Sequence, residues 1–382
     1  MTTPRRVAVI TGSRAEFGLL EPVMRAIDAH TGLELRTVVA GSHLLAPAET
    51  WRDVEAAGFT IHARIPMQQP GETGRLADAA AAGRGIERMA QAFADMKPDW
   101  VLALGDRIEA FASAAAASIG GVAFAHMHGG DRAEGIADEA MRHAATKLAH
   151  IHLAATDESA MRIVRMGESA DRVHIVGSPA IDGLEQLPEL SDAHARELAD
   201  PQAALLLHPA GLSEQEERAT ARAMCAGLVA AGIKRAVAFA PNADPGRQWI
   251  DEELRGHAAD RGWPFVEHLP RTLFAGLLKR LAARGGVLIG NSSAGLIEAA
   301  ALRLPVVNLG PRQAGRDRAG NVIDVVGRDT DEVAAAIAAA RNIDRQEISQ
   351  PYGDGDAGLK SARILADVDP HRAWILRKRN SY

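Results

Sequence analysis

The sequence predicts an α/β protein built from two doubly wound Rossmann-like domains facing a cleft. Short β-rich apolar runs alternate with longer helical patterns almost from end to end, the mark of parallel strands joined by crossover helices. At 382 residues the chain exceeds the size at which a single core usually stops growing. Nearly every predicted strand ends in glycine or polar residues, as strands do when their carboxyl ends line a ligand site.

In chain order, RVAVITG (6–12) reads as the first strand. Residues 16–30 follow as a helix with Leu19, Leu20, Val23, Met24 and Ile27 on one face. LRTVVAG (35–41) and TIHARI (60–65) are the next strands, and the first of them leads into the corner Gly41-Ser42-His43. An Ala-rich helical stretch over 73–96 is interrupted at Gly83 and Gly85. DWVLALGD (99–106) and VAFAHMH (122–128) are strands that end at glycine turns. A helix over about 137–149 leads to the strand HIHLAAT, a helix from Asp157, and the strand VHIVG, which ends at Gly177-Ser178-Pro179.

The polar, proline-punctuated stretch 183–202 marks the change of domain. A second alternating series follows: strands at 203–209, 235–241, 264–270 and 286–293, with helices at 213–231, about 246–259, up to Leu281, and Ala294–Leu302. PVVNLG (305–310) closes the recognisable strands, and no internal repeat is evident. The expected boundaries are 1–180 and 181–358, with a broken terminal helix (359–382) returning to the first domain.

The net charge of −6 supplies no electrostatic footprint for nucleic acid or an anionic membrane. The single cysteine, Cys225, sits in the apolar run AMCAGLVA and reads as a buried small hydrophobe, which excludes a disulfide framework. MTTPRRVAVITGSR lacks the apolar core of a signal peptide. Gly120-Gly121 splits the apolar stretch 110–125, which is too short for a membrane span. The expected location is the cytoplasm.

Chemistry concentrates in Leu104–Arg142, which holds Asp106, Arg107, His126, His128, Asp131, Asp138, Glu139 and Arg142. Asp106, Asp131, Asp138 and Glu139 form a crowded acidic group suited to proton transfer. The plainer alternatives are first-turn helix charge for Asp138 and Glu139, and an Asp106–Arg107 ion pair. His126 and His128 flank one residue at a strand end, a spacing that admits a metal site completed by Asp131, Asp138 or His143. Hydrogen bonding to backbone or substrate is the alternative. GNSSAGLIE (290–298) offers backbone N–H groups and hydroxyls to a diphosphate at a helix N-terminus, or simply an N-cap at Asn291 or Ser292. GSRAEFG is not the spaced glycine fingerprint of dinucleotide sites, and the Walker lysine motif is absent, so nicotinamide dependence and P-loop hydrolysis lose support.

RAEFGLLEPVMRAI, the GDRIE turn, HMHGGDRAEGIADEAMRHAATKLAHIHLAAT, an isolated HP after a strand, and GNSSAGLIEAAALRLPVVNLGPRQAGR together resemble the UDP-N-acetylglucosamine 2-epimerases. The likeness is greatest to the bacterial hydrolysing branch that feeds sialic-acid-type sugar synthesis. It implies a glycosyltransferase-B type fold and a nucleotide-sugar substrate. It also implies a reaction with no metal and no cofactor: UDP leaves C1 as a base takes the C2 proton, and water adds to the resulting 2-acetamidoglucal to release N-acetylmannosamine. A homo-oligomer, dimer or tetramer, is expected. Carried over by motif, Arg14, Arg107, His208, Ser292, Ser293, Glu298 and Arg312 hold the nucleotide, with Asn242 and His268 nearby. Asp106, Asp138 and Glu139 are the acid–base group, supported by Arg142 and His143. His128 stands where many relatives carry a glutamate, so either it takes that role or Asp131 compensates. Leu19 replaces the lysine usual in non-hydrolysing enzymes. A non-hydrolysing epimerase and a glycosyltransferase of the same fold are the competing readings.

Overall fold

The computed structural model describes residues 3–381 other than 70, 73, 133–137, 243 and 373–375. They divide into two compact units. The first takes in the chain up to Asp131, the stretch that then runs to Asp182, and the chain from Gly353 onward; the second is Gly183–Tyr352.

The strands of the first unit are β1 (Arg5–Thr11), β2 (Leu33–Ala40), β3 (Ile61–Ile65), β4 (Trp100–Leu104), β5 (Ala123–Met127), β6 (Ile151–Ala154) and β7 (Val173–Ile175). They form one parallel sheet in the order β3-β2-β1-β4-β5-β6-β7. The helices α1 (Arg14–Asp28), α2 (Trp51–Ala56), α3 (Arg75–Met96), α4 (Ile108–Ile119), α5 (Asp138–Leu148) and α6 (Asp157–Arg165) follow successive strands. Val7, Val9, Trp100 and Leu102 join one buried cluster, while their alternates Ala8, Ile10, Val101 and Ala103 join another. Both faces of the sheet are therefore covered, which is why the strands read as unbroken apolar runs.

The second unit opens with α7 (Asp192–Glu197) and continues β8 (Ala203–Leu206), α8 (Glu214–Ala230), β9 (Ala236–Phe239), α9 (Arg247–Arg261), β10 (Phe265–Val266), α10 (Arg271–Ala283) and β11 (Val287–Gly290). It ends with α11 (Glu298–Ala301), β12 (Val306–Leu309), β13 (Val322–Val325) and α12 (Thr330–Arg341). Its parallel sheet has the order β10-β9-β8-β11-β12-β13 and is likewise buried on both faces, with Leu205 and Ile289 on one side and Leu206 and Leu288 on the other. The expected pair of doubly wound parallel sheets is present. α13 (Ala357–Asp367) belongs to the first unit and packs on α1, where Ala362 and Leu365 join the cluster of Leu20 and Met24. The Asp182 carboxylate accepts the first N–H groups of this helix, from Ala357 at 2.9 Å and Gly358 at 2.7 Å.

Some elements differ from expectation. α3 runs unbroken through Gly83 and Gly85. A Cβ at Gly85 would come 2.6 Å from Met67 Cε and 3.1 Å from Ala112 Cβ, so this glycine admits α4 closely, which offsets its helix penalty of about 1 kcal/mol. β13 was not foreseen; it is a half-exposed edge strand paired only with β12, and such strands carry little apolar signal. The helix expected over Ala294–Leu302 is a 3₁₀ turn, Ser293–Gly295, followed by the four-residue α11. Among the described residues no helix is long and apolar enough to cross a membrane.

Candidate active site

Strand order reverses between β1 and β4 in the first sheet and between β8 and β11 in the second. Ligands of such sheets bind outside the carboxyl ends of the strands at these switch points. At the first, the two neighbouring strands run into turns of one pattern, Gly12-Ser13-Arg14-Ala15-Glu16 and Gly105-Asp106-Arg107-Ile108-Glu109. The two turns share the spacing G-x-R-x-E. In each turn a helix begins, the arginine stays half-exposed, and the glutamate folds back beneath.

Glu16 and Glu109 are buried together. Glu16 Oε2 accepts from Gly12 N at 2.8 Å. Glu109 Oε1 accepts from Ser42 N at 3.4 Å and Gln68 Nε2 at 3.3 Å. A Cβ at Gly41, where φ is +56°, would run into Glu109 Oε1, and one at Gly12 would come 2.6 Å from Glu109 Cγ; glycine at both positions makes room for the carboxylate. Burial, and then the neighbouring Glu109, push the Glu16 pKa up to about 8, so Glu16 keeps its proton at neutral pH. Arg14 Nε donates to Asp53 at 2.9 Å, and Arg107 Nε lies 3.7 Å from Glu109 Oε2. The two glutamates were missed as site residues because an acidic residue in a first helical turn is ordinary. The repeated spacing was the available signal.

Asp106 follows β4 and pairs with Arg142 of α5. The buried Arg142 guanidinium also donates to the His128 carbonyl at 3.2 Å and lies 3.7 Å from Asp131. His128 Nδ1 meets Asp131 Oδ2 at 2.8 Å, and His128 Nε2 meets Ser178 Oγ at 3.1 Å. The second Asp131 oxygen accepts from Ser159 Oγ at 2.7 Å. His128 is 5% exposed, and both its ring nitrogens are engaged, by Asp131 and Ser178. Ser178 is a further residue that the sequence reading left unassigned.

The strand alternation expected to place His126 and His128 on one face does not reach His128, which lies beyond the end of β5 with φ +60°. His126 makes its own bonds, Nε2 to the Gly105 carbonyl at 2.8 Å and Nδ1 to Thr146 Oγ1 at 3.1 Å. Burial lowers its pKa to about 4, so the ring is neutral. On α5, His143 Nε2 lies 3.4 Å from Glu139 Oε1. Asp138 opens that helix, and its side chain lies outside the described residues. Among the described residues no three His, Cys, Asp or Glu side chains are grouped as a metal site requires.

In the second unit, His208 follows β8 and Asn291 follows β11. Asn291 bridges them: its Oδ1 accepts from His208 N at 2.7 Å and its Nδ2 donates to the His208 carbonyl at 2.8 Å. Gly290 holds φ +142°, and a Cβ there would collide with the Leu206 carbonyl, so the two strand ends meet backbone to backbone. The His208 ring is held by Asn242 N, which donates to Nδ1 at 3.2 Å. Burial, and then Arg312, lower its pKa to about 3. The neutral ring therefore carries its proton on Nε2 and presents an N–H donor. Arg312 donates to the carbonyls of Pro209 at 3.2 Å and Asn291 at 3.3 Å, and lies 3.6 Å from Asp244, which accepts from Asn242 Nδ2 at 2.6 Å.

His208, Asn242, Asn291 and Arg312 thus form one hydrogen-bonded group. Ser292 caps the 3₁₀ turn, accepting from Ala294 N at 3.4 Å, and Ser293 is the turn's first residue. With only four residues in α11, the helix-dipole part of the expected phosphate site is weak. Glu298 is the first residue of α11, and His268 is an exposed residue beyond β10.

Two parallel α/β sheets, one with carboxylates at its switch point and the other with hydrogen-bond donors, suit an enzyme of nucleotide sugars. The model of the family described as UDP-N-acetylglucosamine 2-epimerase matches residues 25–366. A UDP-N,N'-diacetylbacillosamine 2-epimerase (hydrolyzing) of Legionella pneumophila is 32% identical, over 99% of this chain and 100% of that protein. A UDP-N-acetylglucosamine 2-epimerase of Neisseria meningitidis is 28% identical, over 97% of this chain and 96% of that protein. Among solved structures, the Neisseria meningitidis UDP-GlcNAc 2-epimerase bound to UDP-GlcNAc has the same fold, with a TM-score of 0.78 at 18% identity over 94% of this chain and 99% of that one. The chain belongs to the UDP-N-acetylglucosamine 2-epimerase family.

Proposed function

We propose that this family member is a hydrolysing 2-epimerase, which converts UDP-N-acetylglucosamine or a 2,4-diacetamido relative to the free manno-configured sugar and UDP. The observation that carries the reading is the assembly of the part-exposed Asp106 with the buried Arg142, Asp131 and His128 at the first switch point, where Arg142 fixes one carboxylate while a second hydrogen-bonded carboxylate backs it. The Legionella pneumophila relative, hydrolysing by its name, supports the outcome by matching end to end.

Asp106, Asp138 and Glu139 form the acid–base group. One carboxylate takes the C2 proton as the C1–O bond breaks and its electron pair leaves with UDP. Water then adds its oxygen to C1 of the 2-acetamidoglucal, and a proton returns to C2 on the opposite face. Arg142 holds Asp106, and the Asp131–His128–Ser178 chain holds the loop beneath it. UDP retention falls to the second unit. There the His208 Nε2–H, Arg312, Ser292 and Ser293 are donors suited to a departing diphosphate, with Asn242 and His268 near the nucleotide and Glu298 for ribose hydroxyls. Arg14 and Arg107 add cationic contacts.

Incubating the protein with each nucleotide sugar in deuterium oxide, with NMR of the products, tests this. The expected result is deuterium at C2 of a free manno sugar together with UDP. Accumulation of a manno sugar still attached to UDP would instead indicate non-hydrolysing epimerisation. Neither exchange nor UDP release would sink the proposal.

A further inference from the structure

At the opposite end of α5 from Glu139, the first unit buries a charged cluster that the reaction above does not use. The Glu168 side chain is 1% exposed and receives two lysines, Lys147 at 2.5 Å and Lys378 at 2.7 Å, together with His152 Nε2 at 3.1 Å. Burial alone would raise the Glu168 pKa, but hydrogen bonds from His152, Lys147 and Lys378 bring it down to about 2. The carboxylate is therefore ionised at neutral pH, while burial lowers the Lys378 pKa to about 8, so the lysine is a cation at neutral pH and loses its charge as pH rises through 8.

Lys378 does more than pair. Its Nζ donates to the carbonyls of Thr146 at 3.2 Å, Lys147 at 2.5 Å and Ala149 at 2.7 Å, at the C-terminal end of α5. The Thr146 carbonyl also accepts from Ala149 N at 3.2 Å, and the group as a whole lies at the negative dipole end of the helix, where a cation is favoured. Neighbouring residues hold the same segment in place: Asn380 Oδ1 accepts from Lys147 Nζ at 2.9 Å, and Ser381 N donates to the Gly167 carbonyl at 2.9 Å.

From the clasped end a short path leads back to the proposed chemistry. The Thr146 hydroxyl lies 2.9 Å from the Arg142 carbonyl and 3.1 Å from His126 Nδ1. His126 in turn bonds the carbonyl of Gly105, the residue before Asp106, and Arg142 pairs with Asp106 itself. Both halves of the Asp106–Arg142 pair are thus tied to Thr146, whose own carbonyl receives the lysine.

We propose that Lys378 is a positioning residue: clamped by Glu168, it caps α5 and so sets the register of Arg142 against Asp106. This rests on the acid–base reading of α5 given above. The segment around Lys378 acts as a clasp, and loosening it leaves nucleotide binding intact while misplacing the proton-transfer group.

The test compares Lys378→Met, Lys378→Arg and a chain shortened after Arg377. Lys378→Met and the shortened chain are expected to lose about tenfold or more in kcat, since small misplacements of reacting groups are costly, with KM and the UDP Kd within about twofold. Amide hydrogen exchange should quicken over residues 142–149 and not over β1 or β4. Lys378→Arg, which keeps a cation able to donate to carbonyls, should recover most of the loss. An unchanged kcat in Lys378→Met, or exchange that quickens evenly across the first unit, overturns the proposal. If the parent protein turns over no nucleotide sugar, the proposed function fails, and the exchange pattern decides the clasp on its own.

Discussion

The two switch points share a topology and differ in chemistry. At the β1/β4 ends the chain buries carboxylates: Glu16 and Glu109 beneath the turns, and Asp106 and Asp131 gathered by Arg142. At the β8/β11 ends the corresponding places hold amides, hydroxyls, one histidine kept neutral by burial and the guanidinium of Arg312. A buried carboxylate would repel a diphosphate strongly in a low-dielectric site, whereas N–H donors and a guanidinium suit one. Proton transfer has the opposite need, a base whose basicity the surroundings can adjust. One strand order therefore supports two electrostatic environments, and the loop residues alone decide which.

Substitutions on the two sides should separate these roles. Asp106→Asn is expected to lower kcat by about 10³-fold, with the UDP Kd within about twofold by calorimetry. A comparable loss of UDP binding would erase the division of labour. His208→Ala should act in the reverse sense and raise the UDP Kd by about tenfold or more, the worth of a hydrogen bond to a charged group. Because the His208 pKa lies near 3, its ring shifts should stay flat between pH 5 and 8 in NMR titration; a midpoint near 6 would mean the ring is not held neutral.

The smallest effect concerns Glu16. Its folded pKa of about 8 stands above the ordinary glutamate value of 4.5, so the stability it contributes is complete below pH 4.5 and declines as pH rises towards 8. Glu16→Gln removes that decline. The difference in Tm between pH 6 and pH 8.5 should narrow by about 3 °C, measured by scanning calorimetry. No substitution at the second switch point should reproduce this, since no buried carboxylate pair is present there among the described residues.

Much of the fold was legible because parallel strands buried on both faces must be apolar at every position, and that pattern survives in residues 6–12 or 99–104 without any context. Gly83 and Gly85 misled because helix propensity is local, whereas Gly85 answers to Ala112 and Met67 on other elements. β13 escaped notice because an edge strand has only one neighbour to bury it. In the candidate site, residue types singled out Asp106, Arg142 and His208, and each sits in a hydrogen-bonded group. Partners could not be read the same way: nothing in the spacing of His128, Asp131 and Ser178 says that one ring joins all three. The Glu16–Glu109 pair was present as a repeated pentapeptide, but its meaning depends on β1 and β4 being neighbours, which sequence order conceals.

The Asn291 bridge has a practical consequence. It grips His208 entirely through the main chain, so the pedestal under the imidazole does not depend on the imidazole. The ring is in effect a removable fitting. A methylated or fluorinated histidine introduced there would report on the leaving-group environment while the strand ends beneath it stayed seated.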